Sequence, residues 1–201
     1  YNSTVYNTAN KRLIVFAGAG GGGYGILNDL WVLTNADGSD APATWIKLIP
    51  SCGPPGAREL HVAVYDQANN RMIIHGGYTQ PGSCEGVVGD VWVLSNADGT
   101  GGTPTWTQLS PTGTTPGRRI HGAAYDAVNN RLIINGGGSS GCGPGLNDTW
   151  VLTNANGLGG TPADISVRIF GPDLQELARL AESARDIVGR VKGIKDLRAE
   201  K

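Results

Sequence analysis

Three histidines, three cysteines and two glycine-rich loops are the places in this 201-residue chain where chemistry would be sought. Histidine is the side chain that titrates nearest neutrality and the commonest metal ligand. His61 and His121, however, lie sixty residues apart in matching contexts. That recurrence fits a strand histidine repeated for structural reasons. His75 stands where the next copy has Asn135, so the three histidines do not form a shared ligand set. Gly18-Ala19-Gly20-Gly21-Gly22-Gly23 satisfies G-x-G-x-x-G, but a pyrophosphate site needs a helix after the glycines, and Asn28-Asp29-Leu30-Trp31 reads as another strand. Gly137-Gly138-Ser139-Ser140-Gly141 satisfies G-x-S-x-G, yet Cys142-Gly143-Pro144 continues it as loop, with no helix to aim the serine. The sequence therefore assembles no catalytic residues, no cofactor-binding residues and no metal ligands. A non-enzymatic protein without a cofactor is expected.

The elements that carry these residues come from a repeat. Arg58, His61, Tyr65, Asp66, Asn69, Asn70 and Arg71 recur sixty residues later as Arg118, His121, Tyr125, Asp126, Asn129, Asn130 and Arg131. An earlier copy, with Tyr6, Asn7, Asn10 and Arg12, is cut at its start. Asp29-Leu30-Trp31, Asp90-Val91-Trp92 and Asp148-Thr149-Trp150 recur at intervals of 61 and 58, and Trp45 and Trp106 form a further register. Each copy reads as four short strands. In the second copy these are His61 to Tyr65, Met72 to Ile74, Val91 to Leu94 and Trp106 to Leu109. Asp37-Gly38, Asp98-Gly99 and Asn156-Gly157 supply pairs tolerant of positive φ where the chain must reverse. Four antiparallel strands in a meander make one propeller blade.

At this level the residues resemble the kelch repeat. The marks are Gly76-Gly77 and Gly136-Gly137 after an apolar strand, the Tyr65-Asp66 and Tyr125-Asp126 pairs before it, and Trp92 or Trp150 followed by Trp106. The resemblance covers residues 1–162 and implies a mainly β fold: three kelch-like four-stranded blades of an incomplete β-propeller. The first copy departs from the pattern, with Ala17-Gly18 for the diglycine and Asn2 for the histidine. Asp66 with Arg71, and Asp126 with Arg131, are expected as internal pairs that pin the turn between the first two strands. The aromatic residues Tyr65, Trp92 and Trp106, with Tyr125 and Trp150, are expected in packing between blades. Three blades do not close a ring of the usual size, so either the native protein is longer or copies of this chain associate, and an open stack should expose apolar faces at its two end blades.

Cys52 lies in the loop entering the second blade and Cys84 in that blade's long loop after the diglycine, which a four-strand meander places on one rim. A Cys52–Cys84 disulfide with Cys142 free is the economical expectation. It implies an oxidising compartment, periplasmic or extracellular.

Charge divides the chain in two. Residues 164–201 hold 7 acidic and 8 basic residues of the 33 in the whole chain, and 29 of the 32 glycines lie before them. The tail alternates from Ile165 to Phe170. It then turns at Gly171-Pro172-Asp173 into a heptad-like apolar run, Leu174, Leu177, Ala181, Ala184, Val188 and Val191, expected as an amphipathic helix over 173–190 with a strand after it. Ile169-Phe170-Gly171-Pro172-Asp173-Leu174 and Val191-Lys192-Gly193-Ile194-Lys195-Asp196 resemble the periplasmic porter region of RND-type heavy-metal efflux pumps. That resemblance implies a porter-like βαβ fragment, residues 163–201, after kelch-like blades at 1–162. Ile165 to Phe170 is also expected to serve as the missing fourth strand of the third blade, paired with Val151-Leu152.

With 16 Lys+Arg against 17 Asp+Glu, a net charge of -1 offers no basic footprint for nucleic acid. No apolar window is long enough to span a bilayer. The chain opens on Tyr1 without a secretory leader, as an excised or processed segment would. The function expected is a non-catalytic kelch-type binding or interaction module, truncated or fused to a porter-like fragment. Its protein partner would bind through the loop rim at residues 18–28, 78–89 and 138–147, or it would self-associate through exposed blade faces. The alternative is the periplasmic part of an RND-type efflux component.

Overall fold

A computed structural model describes residues 1–20, 25–39, 41–113, 115–158, 165–168 and 179. Three four-stranded antiparallel sheets account for these residues. Blade 1 holds β1 (Ser3–Asn7), β2 (Arg12–Ala19), β3 (Ile26–Thr34) and β4 (Thr44–Leu48). Blade 2 holds β5 (Val62–Asp66), β6 (Arg71–Tyr78), β7 (Val87–Ser95) and β8 (Thr105–Leu109). Blade 3 holds β9 (Gly122–Asp126), β10 (Arg131–Asn135), β11 (Thr149–Thr153) and β12 (Ile165–Arg168). In each sheet neighbouring strands are consecutive in sequence, so every blade is a meander. The first strands of successive blades, β1, β5 and β9, lie against one another and form the inner edge.

Local chemistry explains the turns. The first turn of each blade is closed by a residue of positive φ, Lys11 at 52°, Asn70 at 50° and Asn130 at 51°. Asparagine suits this left-handed conformation and lysine does not. The turn after the third strand carries Asn35, Asn96 and Asn154 at 48°, 50° and 52°. The expected Asp-Gly and Asn-Gly pairs lie just beyond, and the amides of Gly38, Gly99 and Gly157 donate back to the carbonyls of those asparagines.

Strand alternation divides the core into two seams, because successive side chains leave opposite faces of a sheet. Met72, Ile74, Leu94 and Trp106 of blade 2 pack with Ile14, Phe16, Leu30 and Val32 of blade 1. Ile73, Val91 and Val93 of the same blade pack with Leu132, Ile134 and Leu152 of blade 3. Blade 2 is thus buried on both faces, and its strands read as continuous apolar runs for that reason. The Phe16 and Trp106 rings sit 4.8 Å apart across the first seam, the packing role expected for the tryptophan.

β12 pairs with β11, Val151 opposite Ser166 and Leu152 opposite Ile165. The tail therefore supplies the fourth strand of blade 3, as its alternation suggested. The expected helix over 173–190 and the strand after it lie outside the described residues, apart from Arg179, which is helical.

The diglycine marks the closest approach of blades. Gly77 N donates to the Arg118 carbonyl at 2.7 Å, and Gly18 N donates to the Arg58 carbonyl at 2.9 Å in the seam before it. A Cβ on Gly76 would lie 2.5 Å from the Arg118 carbonyl oxygen, and one on Gly77 would lie 2.8 Å from His61 Cβ with φ at +111°. Gly77→Ala is therefore expected to lower unfolding free energy by roughly 2 kcal/mol or more, from backbone strain plus collision. Ile120, 63% exposed, carries a positive φ of 53° that a β-branched residue tolerates poorly. Ile120→Asn should raise stability by about 1 kcal/mol. Chemical denaturation of the two variants beside the parent protein measures both effects.

Candidate interaction surface

Three polar layers are built on these seams. The first is a column of buried imidazoles along the inner edge. His61 Nε2 is hydrogen-bonded to Ser3 Oγ of the preceding blade, and His121 Nε2 meets His75 Nδ1 at 3.0 Å. Each repeat histidine thus engages the blade before it. His75 is the residue that receives His121, and Asn135 occupies the same position facing the end of the stack. Burial holds all three rings neutral, depressing His61 and His75 to about 3 and His121 to about 4, with nearby Arg58 and Arg118 adding to the effect. Among the described residues no group of three or more His, Cys, Asp or Glu side chains is arranged to hold a metal.

The second layer is ionic. Arg58 donates in bidentate fashion to Asp90 at 2.6 and 2.8 Å, and Asp90 also accepts from the Trp92 indole at 2.7 Å. Burial raises the Asp90 carboxyl, but the Arg58 hydrogen bonds and charge, helped by Trp92, outweigh it and leave the group below its ordinary value. Blade 3 repeats the arrangement with Arg118, Asp148 and Trp150. The repeat's Arg and Asp therefore pair across the blade from a loop to Asp90 in β7, or to Asp148 just before β11. The expected Asp66–Arg71 pairing across the turn does not form. Arg71 instead donates to the Asn156 carbonyl in blade 3 at 2.8 Å.

The third layer explains why. Asp66 accepts from Asn69 in its own turn, and from Tyr125 and Asn156 in the next blade. Burial raises its carboxyl, and these donors overcome that and lower it. In the seam before, Asn7 donates to Asp98 at 2.8 Å and to Tyr65 Oη at 2.9 Å, while Arg12 reaches the Asp98 carbonyl at 2.8 Å. Each turn is thus stitched to the following blade by an Asn–Asp pair, a tyrosine and an arginine. In blade 3, Asp126 is bonded within its own turn to Asn129, and Arg131 begins β10 opposite it. This use of Tyr65, Asp66, Arg71 and Tyr125 between blades was only half legible. Recurrence marked the residues, but sequence spacing within one copy could not reveal a partner in the next.

The loop rim lies at the other end of the strands. The expected Cys52–Cys84 bridge is not present: Cys84 is bonded to Cys142, with Cα atoms 5.0 Å apart, and Cys52 is free and exposed. The reason is the repeat itself. Cys84 and Cys142 are equivalent positions in adjacent blades, and equivalent loops lie side by side. Cys52 is anchored elsewhere, since Ser51 N donates to the Pro104 carbonyl at 2.8 Å, at the turn end of blade 2. The nine-residue β7 separates that end from the Cys84 loop. Arg119 reinforces the bridge by donating to the Ser140 and Gly141 carbonyls, both at 2.8 Å, with its guanidinium over the Tyr78 ring. Of the other expected rim residues, Gly18 and Ala19 end β2 and Ile26 begins β3; residues 21–24 lie outside the described part. Neither glycine-rich motif precedes a helix within the described residues.

Stacked four-stranded meanders, joined by a glycine amide at each blade contact, Gly18 in the first seam and Gly77 in the second, define β-propeller blades. The sequence matches the KLHDC2/KLHL20/DRC7 Kelch-repeats domain over residues 1–157, and the chain belongs to this kelch-repeat family. No curated protein matches it.

The buried neutral histidines give a pH dependence of definite sign. Their folded values lie below the ordinary 6.5, so the unfolded chain binds protons first as pH falls. Stability is full above about pH 6.5 and declines toward the folded values, by about 2 kcal/mol per histidine at pH 5. His75→Asn, the residue of the third copy, should make the loss between pH 7 and pH 5 smaller by about that amount, as read from denaturant midpoints at the two pH values.

Proposed function

We propose that the chain is a non-catalytic kelch-type module that binds a protein partner through its loop rim, in a periplasmic or extracellular setting. The observation that carries this reading is the cross-blade disulfide Cys84–Cys142 together with the Arg119 clamp. Loops held in one geometry lose less conformational entropy on binding, which favours affinity. A disulfide of this kind persists in an oxidising compartment. Kelch-repeat membership supports an interaction role in general. No helix among the described residues is long and apolar enough to cross a membrane.

The division at residues 162 and 163 stays a proposal about composition, since β12 lies past it and still completes blade 3. The porter-like reading of the tail, and with it the alternative of an RND-type efflux component, rests on the tail's own sequence, beyond the last matched residue, 157.

Two measurements test the module reading. Non-reducing peptide mapping of protein from its native source should return a Cys84–Cys142 linked peptide and an alkylated Cys52; reduced Cys84 would speak against the compartment. Photo-cross-linking residues placed at Ser83 or Ser140 should trap a defined protein. The same probe at Val128, 92% exposed in the opposite turn, should not. Equal trapping at both ends, or none at the rim, would remove the rim as the binding surface.

A further inference from the structure

Among the described residues, nothing covers the outer face of blade 1. Tyr6, Leu13, Leu33 and Trp45 occupy the positions at which Tyr65, Met72, Leu94 and Trp106 of blade 2 meet blade 1. Trp106 is 3% exposed there, whereas Trp45 is 52% exposed. Blade 3 presents the opposite surface, with Asp126 and Arg131 at the positions from which Asp66 and Arg71 engage the next blade. The two ends of the stack are therefore the two halves of a seam of the kind already formed twice within the chain.

Charge selects the occupant. In the first seam, Arg12 of blade 1 and the Asp98 carboxylate of blade 2 balance. In the second, Asp66 and Arg71 of blade 2 balance against the neutral Asn156 and Asn130 of blade 3. A seam between blade 3 and blade 1 brings Asp126 and Arg131 to Tyr6, Lys11 and Asp37. Asp126 then faces a second carboxylate, Asp37, where the existing seams set an amide against an acid. Lys11 supplies the missing cation, with its ammonium 3.3 Å from Asp37. The equivalent residues of the other blades are Asn70 and Asn130, each in the same left-handed conformation. That backbone favours asparagine, so lysine at position 11 runs against local preference, and it restores neutrality to the one seam that would lack it.

We propose that two copies of this chain associate head to tail, blade 3 of each against blade 1 of the other, to form a closed ring. Each copy supplies three blades, and the ring of six falls inside the range of about four to eight blades at which propellers close. A two-fold axis makes the two new seams identical. Association covers Trp45 and places Lys11 between Asp37 and the partner's Asp126. Its test reads mass whereas the rim reading is tested by cross-linking, so either can fail without the other.

The test is the mass of the intact 201-residue chain by light scattering and sedimentation, over a concentration series. Wild type should be a dimer, and Lys11→Glu should weaken it roughly tenfold or more, since three carboxylates then meet in one seam. Lys11→Glu combined with Asp126→Lys should restore the dimer toward wild-type affinity, with circular dichroism confirming that all variants fold. Trp45→Ser should weaken it without reversing any charge. A monomeric wild type overturns the proposal. So does a dimer that Lys11→Glu leaves unaffected, or one that the double variant fails to recover.

Discussion

The blade-to-blade backbone contact at the diglycine is the constraint on which the remaining architecture rests. A main-chain amide on one blade meets a main-chain carbonyl on the next, at Gly18 with Arg58 and again at Gly77 with Arg118. Such a bond fixes the separation of two sheets to within tenths of an ångström, and at Gly76 a Cβ would lie 2.5 Å from the Arg118 carbonyl oxygen across the seam. The side chains on either side must then interdigitate at that spacing, so the two apolar seams and the imidazole column follow from it. The same closeness strips water from the histidines and keeps them uncharged.

Polar groups between blades are numerous, and most have partners, apart from one ring nitrogen each of His61, His75 and His121 and the Trp106 indole. This answers the problem raised by close sheets, because a buried donor or acceptor left unpaired costs about 1–3 kcal/mol. The turn residues solve it collectively. Asp98 accepts from Asn7, Asn10 and Asn70, residues drawn from two blades. An aspartate so surrounded holds its charge despite burial, and it fixes the register of one blade on the next more tightly than apolar packing alone.

Much of this was legible because the sequence repeats. Four strands per copy, the turn glycines, the packing role of Trp106 and the substitute strand at Ile165–Arg168 all follow from patterns within one copy or from matching registers. What stayed hidden were relations between copies. On sequence proximity alone Asp66 pairs with Arg71, while its partners beyond its own turn, Tyr125 and Asn156, lie 59 and 90 residues away in the next blade. Cys84 was read against Cys52 in the same blade for a similar reason. In a stack, equivalent positions of neighbouring repeats become spatial neighbours, so the better guide to a partner is the same position one period on.

The cross-blade disulfide also changes how the molecule bears load. Cys84 and Cys142 are 58 residues apart, and the chain between them contains β7, β8, β9 and β10. Tension applied through the ends passes along the bridge and bypasses that loop, withholding a contour length on the order of 200 Å from extension. Blade 1 lies wholly on the load-bearing path and has no such shortcut. Under shear, or during passage through a narrow pore, the strands outside the bridged loop would yield while the covalently closed middle stayed threaded as a single thick unit. The position of one bond thus makes a repetitive fold mechanically asymmetric.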